Sequence, residues 1–274
     1  MLQQAIDFRD ESDALHALLA PLSDADFARP TRFKGWTIDD ILSHLHFWNA
    51  AAERSLRDEA GFLVLIARAR KALQTGLRAF EDSENGGLRG RALLAEWRDK
   101  YLATAEHFAA TDPKRRLKWA GPDMSALSSI TARLMETWAH GQAAYDLLGV
   151  ERVDTDRIYN IALLGVNTFG WTFTNRRLPV PEHAPHLRLR APSGAQWTFN
   201  EPDEGERVEG SATEFCQVVA QTRHVADTQL RVVGPTSAHW MAIAQCFAGP
   251  PNDPPLPGQR RREVQPYRPS GGCG

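Results

Sequence analysis

Five stretches of helical period fill the first 150 residues, and no other feature of the chain constrains its fold as tightly. In the segment 2–20, Leu15, Leu18, Leu19 and Leu22 recur at helical spacing among charged residues. A turn-rich connection with Pro30 and Gly35 as breakers follows. Thr37 then reads as an N-cap, with Asp39 and Asp40 in the first turn, where the helix dipole favours negative charge. This second helix continues through ILSHLHFWNAAAERSLRD. A third is expected over 61–82 and a fourth over 91–110, stopping before Asp112-Pro113; a fifth runs over about 24 residues to a close at Gly149. Amphipathic helices of this length joined by short connections predict an up-and-down four-helix bundle.

Past residue 150 the texture changes. One more helix, about 154–176, gives way to Pro179, Pro181 and Pro185. Short strand-like runs come next (HLRLRA, AQWTFN, ERVEG), then a helix from Ser211 to His224, a strand QLRVVG and a last helix over 236–248. The fold class expected is therefore α+β: a helical bundle over 1–150 and a smaller α+β domain over 151–249. A Pro/Gly/Arg-rich tail over 250–274 shows no apolar period and is expected to be mobile.

Composition narrows the partners. The 32 Lys and Arg against 34 Asp and Glu leave a net charge of −2, which gives no footprint for nucleic acid or an anionic membrane surface. No run approaches the ~18 apolar residues that span a bilayer. The opening MLQQAIDFRDESD is unlike a secretory signal, so a cytoplasmic location is expected. Cys216, Cys246 and Cys273 are far apart and odd in number, offering neither a disulfide framework nor C-x-x-C metal spacing. Cys216 and Cys246 sit among Phe, Val and Ala and read as buried, inert thiols. Arg260–Arg262 reads as a solvated charge run.

Chemistry concentrates on histidine and carboxylate. Glu136 and His140, four apart on the fifth helix, share a face with Ser129, Ala132, Ala143 and Leu147. A carboxylate in such apolar company is costly unless an ion or hydrogen bond satisfies it. Facing carboxylate and imidazole groups in a bundle interior are one way of supplying metal ligands. His44 and His46 flank the apolar stripe of the second helix on opposite sides, and spacing alone does not choose between them. Glu182 and His186 show the same four-residue spacing in a Pro-interrupted segment where no helix is expected.

The stretch Gly35-Trp36-Thr37-Ile38-Asp39-Asp40-Ile41-Leu42-Ser43-His44-Leu45, followed by Glu136-Thr137-Trp138-Ala139-His140-Gly141, resembles two motifs of the DinB-like family. It is similar in particular to the N-terminal domain of mycothiol-dependent maleylpyruvate isomerases. The C-terminal half, from Gly210 to Thr228 and again at Ala244–Pro251, looks like an uncharacterised bacterial branch of these metal-binding proteins. The resemblance implies a DinB-like metal-binding bundle whose ligands are His44, Glu136 and His140, and makes His46 an ordinary helix residue. It implies a divalent metal, zinc first, with nickel and iron accepting similar ligands. It further implies a low-molecular-weight thiol such as mycothiol as co-substrate and an electrophilic small molecule as acceptor, in a transferase or isomerase; a homodimer is allowed. A cation with open positions stabilises a thiolate. Arg223 is the candidate catalytic residue, orienting a substrate carboxylate, and its alternative role is to bond the last carbonyls of its own helix. A non-catalytic metal- or ligand-binding protein, and a hydrolase using metal-bound water, are the competing classes. No substrate-binding residue is named by the sequence.

Overall fold

In a computed structural model that describes residues 1–72 and 76–263, the chain divides into two compact units. The first comprises Met1–Val150 together with Glu263, and the second Glu151–Arg262.

The first unit is a four-helix bundle built from α1 (Gln3–Leu19), α3 (Ile38–Arg57), α6 (Gly90–Ala109) and α7 (Ala126–Leu148). Both α1 and α3 pack against α6 and α7, so α1 lies across the bundle from α3. The joining segments are longer than the sequence suggests. The first carries the short helix α2 (Asp24–Phe27), the second α4 (Glu59–Ala72) and α5 (Leu77–Glu84), and the third a two-stranded hairpin, β1 (Arg116–Leu117) with β2 (Met124–Ser125). Fully buried Phe8, Leu42, Trp97, Tyr101, Phe108 and Trp138 fill the centre. The expected helix over 61–82 is two helices: Gly76, at φ 131°, takes a backbone conformation that non-glycine residues rarely adopt, and a new helix begins at Leu77. The intervening residues 73–75 lie outside the described residues.

Two local devices position the site. Thr37 caps α3 as expected and does so in a reciprocal box: its Oγ1 accepts from the Asp40 amide (3.1 Å), and Asp40 accepts from the Thr37 amide (2.8 Å). Gly149, at φ 67°, closes α7; its amide donates to Asp146 O and that of Val150 to Tyr145 O.

In the second unit a four-stranded sheet has the order β4-β3-β5-β6, with β3 (His186–Arg190), β4 (Gln196–Phe199), β5 (Arg207–Ser211) and β6 (Arg231–Val233). The central pair β3–β5 is parallel and both edge pairs are antiparallel. Leu187, Leu189 and Val208 are fully buried on these central strands, and α10 (Ala212–Val219), which packs on them, buries Phe215, Cys216 and Val219. The helix expected over 154–176 is broken into α8 (Tyr159–Asn167) and α9 (Phe169–Asn175). The break falls at Thr168, whose hydroxyl donates back to Leu164 O (2.8 Å) and competes with the helical ladder. Helix α10 stops before its expected end because Gln221 turns left-handed (φ 55°) and Thr222 donates back to Gln217 O. The last helix, α11 (Pro235–Ile243), is likewise shorter than expected.

Residues 250–260, part of the tail expected to be mobile, are tied to the second unit. Asn252 bonds Gln221 (2.5 Å), Arg176 pairs with Asp253 (2.8 Å), and Asp227 accepts from the Gly258 amide (2.9 Å). The rest of that tail beyond Glu263, with Cys273, lies outside the described residues. Both Cys216 and Cys246 are buried free thiols, and burial pushes the Cys216 thiol well above its ordinary range. Among the described residues no helix is long and apolar enough to cross a membrane.

Candidate metal centre

Helix α7 carries Glu136 and His140 one turn apart, and α3, packed beside it, supplies His44. One ligand atom from each of the three lies within 4.8 Å of the others. The Glu136 carboxylate is 3.0 Å from His140 Nε2 and 3.8 Å from His44 Nε2. Ligand atoms on a tetrahedral zinc with bonds of roughly 2.0–2.1 Å stand about 3.3 Å apart, so this spacing suits one small cation.

Behind the first imidazole stands a residue the motifs do not contain. Glu81, on α5 and 2% exposed, contacts His44 Nδ1 through Oε1 (3.1 Å) and accepts from Trp48 Nε1 (2.9 Å). With its Nδ1–H given to Glu81, His44 presents Nε2 to Glu136 and His140. This is the carboxylate–histidine arrangement that fixes ring orientation and tautomer at metal sites. Aromatic rings frame the histidines. The loop before α3 turns through Lys34 (φ 53°) and Gly35 (φ 70°) and carries Phe33 and Trp36 onto them. Trp36 stacks on His140 at 5.8 Å and 3°, and Phe33 meets the same ring edge-on at 5.0 Å.

Electrostatics couples the cluster. Burial pushes the Glu136 carboxyl up, but the hydrogen bonds to His140 and His44 and the charges of His140 and Arg133 outweigh it and hold the group well below its ordinary value. Burial disfavours the His44 cation, yet Glu136 and Glu81 more than compensate and raise the imidazole to about 9. His140 is lowered by its burial and by the charges of His44 and Arg133, partly offset by Glu136. Without a cation, a value of about 9 favours the imidazolium form of His44 at pH 7, with Nδ1 facing Glu81 and Nε2 facing Glu136.

The other sequence candidates fall elsewhere. His46, half-buried on α3, is outside the cluster and is lowered to about 4 by burial and by Lys100. Glu182 is exposed, and His186 lies in β3 with Nδ1 3.1 Å from Asn200 O. Arg223 belongs to the second unit, follows α10 and donates Nη1 to Thr222 O (2.9 Å). Besides Glu81, sequence reasoning passes over Arg133, a residue three positions before Glu136 that is only 4% exposed.

Comparison with known proteins places these residues in a family. The mycothiol maleylpyruvate isomerase N-terminal domain matches residues 8–145, a span that holds all three clustered residues. The chain belongs to this family. Two uncharacterized proteins of Mycobacterium tuberculosis, from strains CDC 1551 / Oshkosh and ATCC 25618 / H37Rv, are 41% identical to it over 245 residues, 89% of this chain and 95% of each relative. Among solved structures, a mycothiol-dependent maleylpyruvate isomerase superposes with a TM-score of 0.52 at 16% identity, covering 80% of this chain and 88% of that one. A histidine-to-alanine mutant of that enzyme gives 0.50 at 17% identity. At such identity the likeness is one of fold.

Proposed function

We propose that this protein is a divalent-metal-dependent enzyme of the thiol-using isomerase or transferase type, with mycothiol or a similar low-molecular-weight thiol as co-substrate and an electrophilic small molecule as acceptor. The observation that carries this reading is the convergence of His44 Nε2, Glu136 and His140 Nε2, with Glu81 orienting His44. Family membership supports the choice of thiol. Two imidazoles and one carboxylate suit zinc, and three protein ligands leave positions open to a small molecule. A divalent cation held there would favour the deprotonated form of a thiol ligand.

The chain's own residues have defined tasks in this reading. Glu81 holds the His44 proton at Nδ1 and keeps Nε2 free for the cation. Glu136 neutralises positive charge within the cluster. Phe33 and Trp36 cover the imidazole of His140 and limit the access of water to it. Arg223 is the catalytic candidate in the second unit, and Arg223→Ala with a carboxylate-bearing acceptor tests it through KM. Among the described residues no cysteine joins the cluster, and the reading takes its reactive sulfur from a diffusible molecule.

The test is metal analysis of protein purified without a His-tag, followed by turnover with mycothiol, bacillithiol and glutathione against electrophilic acceptors. Stoichiometric zinc, nickel or iron with thiol-dependent turnover is expected. Protein that neither contains nor binds a divalent metal refutes the reading; saturable thiol binding without turnover makes the protein a binding module, and turnover without thiol makes it a hydrolase.

A further inference from the structure

An unbroken apolar run, Phe62-Leu63-Val64-Leu65-Ile66, lies inside α4. At about 100° per residue a helix cannot turn such a run to one side, and a helix apolar on both faces calls for a partner on each. The inner face has its partner. Phe62, Leu65, Ile66 and Ala69 are buried, and Phe62 stacks on Trp119 at 5.8 Å and 11°. The outer face is left in solvent: Leu63 is 49% exposed and Val64 63%, and Ala60 and Ala67 beside them are exposed as well. Ala60, Leu63, Val64, Ala67 and Lys71 recur at the three- and four-residue steps of a single helix seam.

Size and charge along this seam say what covers it. The two bulky aliphatic side chains lie between two alanines, so a second seam of the same kind, run the other way, seats Val64 against the partner's Ala67. Charge is polarised from end to end. Asp58, which caps the helix by accepting from the Gly61 amide (2.9 Å), and Glu59 stand at the start, and Arg68, Arg70 and Lys71 at the close. Glu59 and Arg70 are separated by only about 20° around the axis and share one flank of the seam. In an antiparallel pair about a two-fold axis that flank meets its own copy, so Glu59 faces the partner's Arg70 and Arg70 the partner's Glu59. Arg70 Nη2 donates to Ala120 O (3.1 Å), and the rest of its fork stays available. A parallel pair would instead oppose the basic ends. An anionic lipid surface would attract the close of the helix and repel its start.

We propose that the outer face of α4 is a self-association surface, through which two copies of this chain pair by antiparallel α4 helices. The helix is about 21 Å long, and one pair of that length buries less than the roughly 1,600 Å² of a standard interface. The dimer is accordingly weak, with a dissociation constant of about 10–100 μM.

The measurement is sedimentation velocity of the full chain from about 2 to 200 μM, which brackets that constant. Wild type is expected to pass from monomer to dimer across the range. Val64→Lys sets a charge in the seam and should stay monomeric throughout, with its Tm near wild type because the side chain is exposed. Glu59→Arg and Arg70→Glu each oppose like charges at both ends of the pair and should weaken dimerisation by about tenfold or more. Mixed in equal amounts, these two variants should recover a heterodimer of near wild-type affinity. In that pair the two substituted residues face each other, and so do the two native ones. Wild type that remains monomeric throughout, a dimer that survives Val64→Lys, single-charge variants that pair as wild type does, or a mixture that fails to recover each overturns the proposal. Monomeric wild type that binds phosphatidylserine vesicles, and loses them in Val64→Lys, overturns it in favour of a lipid surface.

Discussion

Replacing Glu81 by Gln tests whether a buried carboxylate outside the ligand set governs the metal centre. The substitution keeps the shape and an oxygen for Trp48 Nε1, but removes the charge facing His44 Nδ1. A charge-assisted hydrogen bond contributes about 1–1.5 kcal/mol more than a neutral one, which is about tenfold in affinity. Losses of 10–100-fold are typical when such supporting groups are removed. The same carboxylate also helps hold a competing proton. With His44 raised to about 9, its protonation at pH 7 weakens metal binding in the wild type by about 100-fold. Glu81→Gln lowers that value and relieves part of the competition. Zinc affinity measured against a chromophoric chelator should therefore differ little between the two proteins at pH 7. Above pH 9, where wild-type His44 is neutral, the variant should be weaker by about tenfold. At pH 7 the wild type should release close to one proton per zinc bound, read from calorimetry in buffers of different ionisation enthalpy. Equal affinities above pH 9 would refute the role given to Glu81.

Further predictions concern the ligands and the fold. His140→Ala should lose stoichiometric metal while far-UV circular dichroism stays near wild type, and undiminished metal content would remove His140 from the site. In the second unit Glu206 accepts from the Thr236 amide (3.0 Å) and the Ser237 amide (2.7 Å) at the start of α11. Burial pushes its carboxyl up, but these bonds dominate and lower it, so its contribution is complete above the ordinary carboxylate range and fades as pH falls through the lowered value. Glu206→Gln should cost about 1 kcal/mol at pH 7 and less in acid, and a urea-unfolding difference that does not shrink in acid would argue against this. Gly165 lies where an added Cβ would sit 2.8 Å from Val219 Cγ2 and 3.1 Å from Phe215 Cε1. Gly165→Ala should accordingly destabilise by about 1–2 kcal/mol despite the better helix propensity of alanine, and an unchanged or raised midpoint would show that α10 yields at this point.

Local chemistry made a good part of this protein legible. The Thr37 cap, the glycine closing α7 and the i, i+4 pairing of Glu136 with His140 follow from helix geometry, which any sequence window of that length carries. Periodicity misled where one residue outweighed its neighbours. Gly76 divides a stretch that reads as a single helix, and Thr168 does the same in the second unit by bonding its own backbone.

What the sequence by itself determined is which residue types share a helix face, and the motif resemblance singled out His44 over His46. Only the tertiary structure decided which charges meet. Glu81 reaches His44 because the short helix α5 packs on α3. Trp119 comes beneath Arg133 because the segment between β1 and β2 folds back beside α7. Such contacts join positions 37 and 14 residues apart through irregular connections, and no periodic rule relates those positions. Burial then sets their chemistry: Glu81 and Arg133 are buried and His44 and Glu136 partly so, and at these short distances the four side chains act as one coupled site.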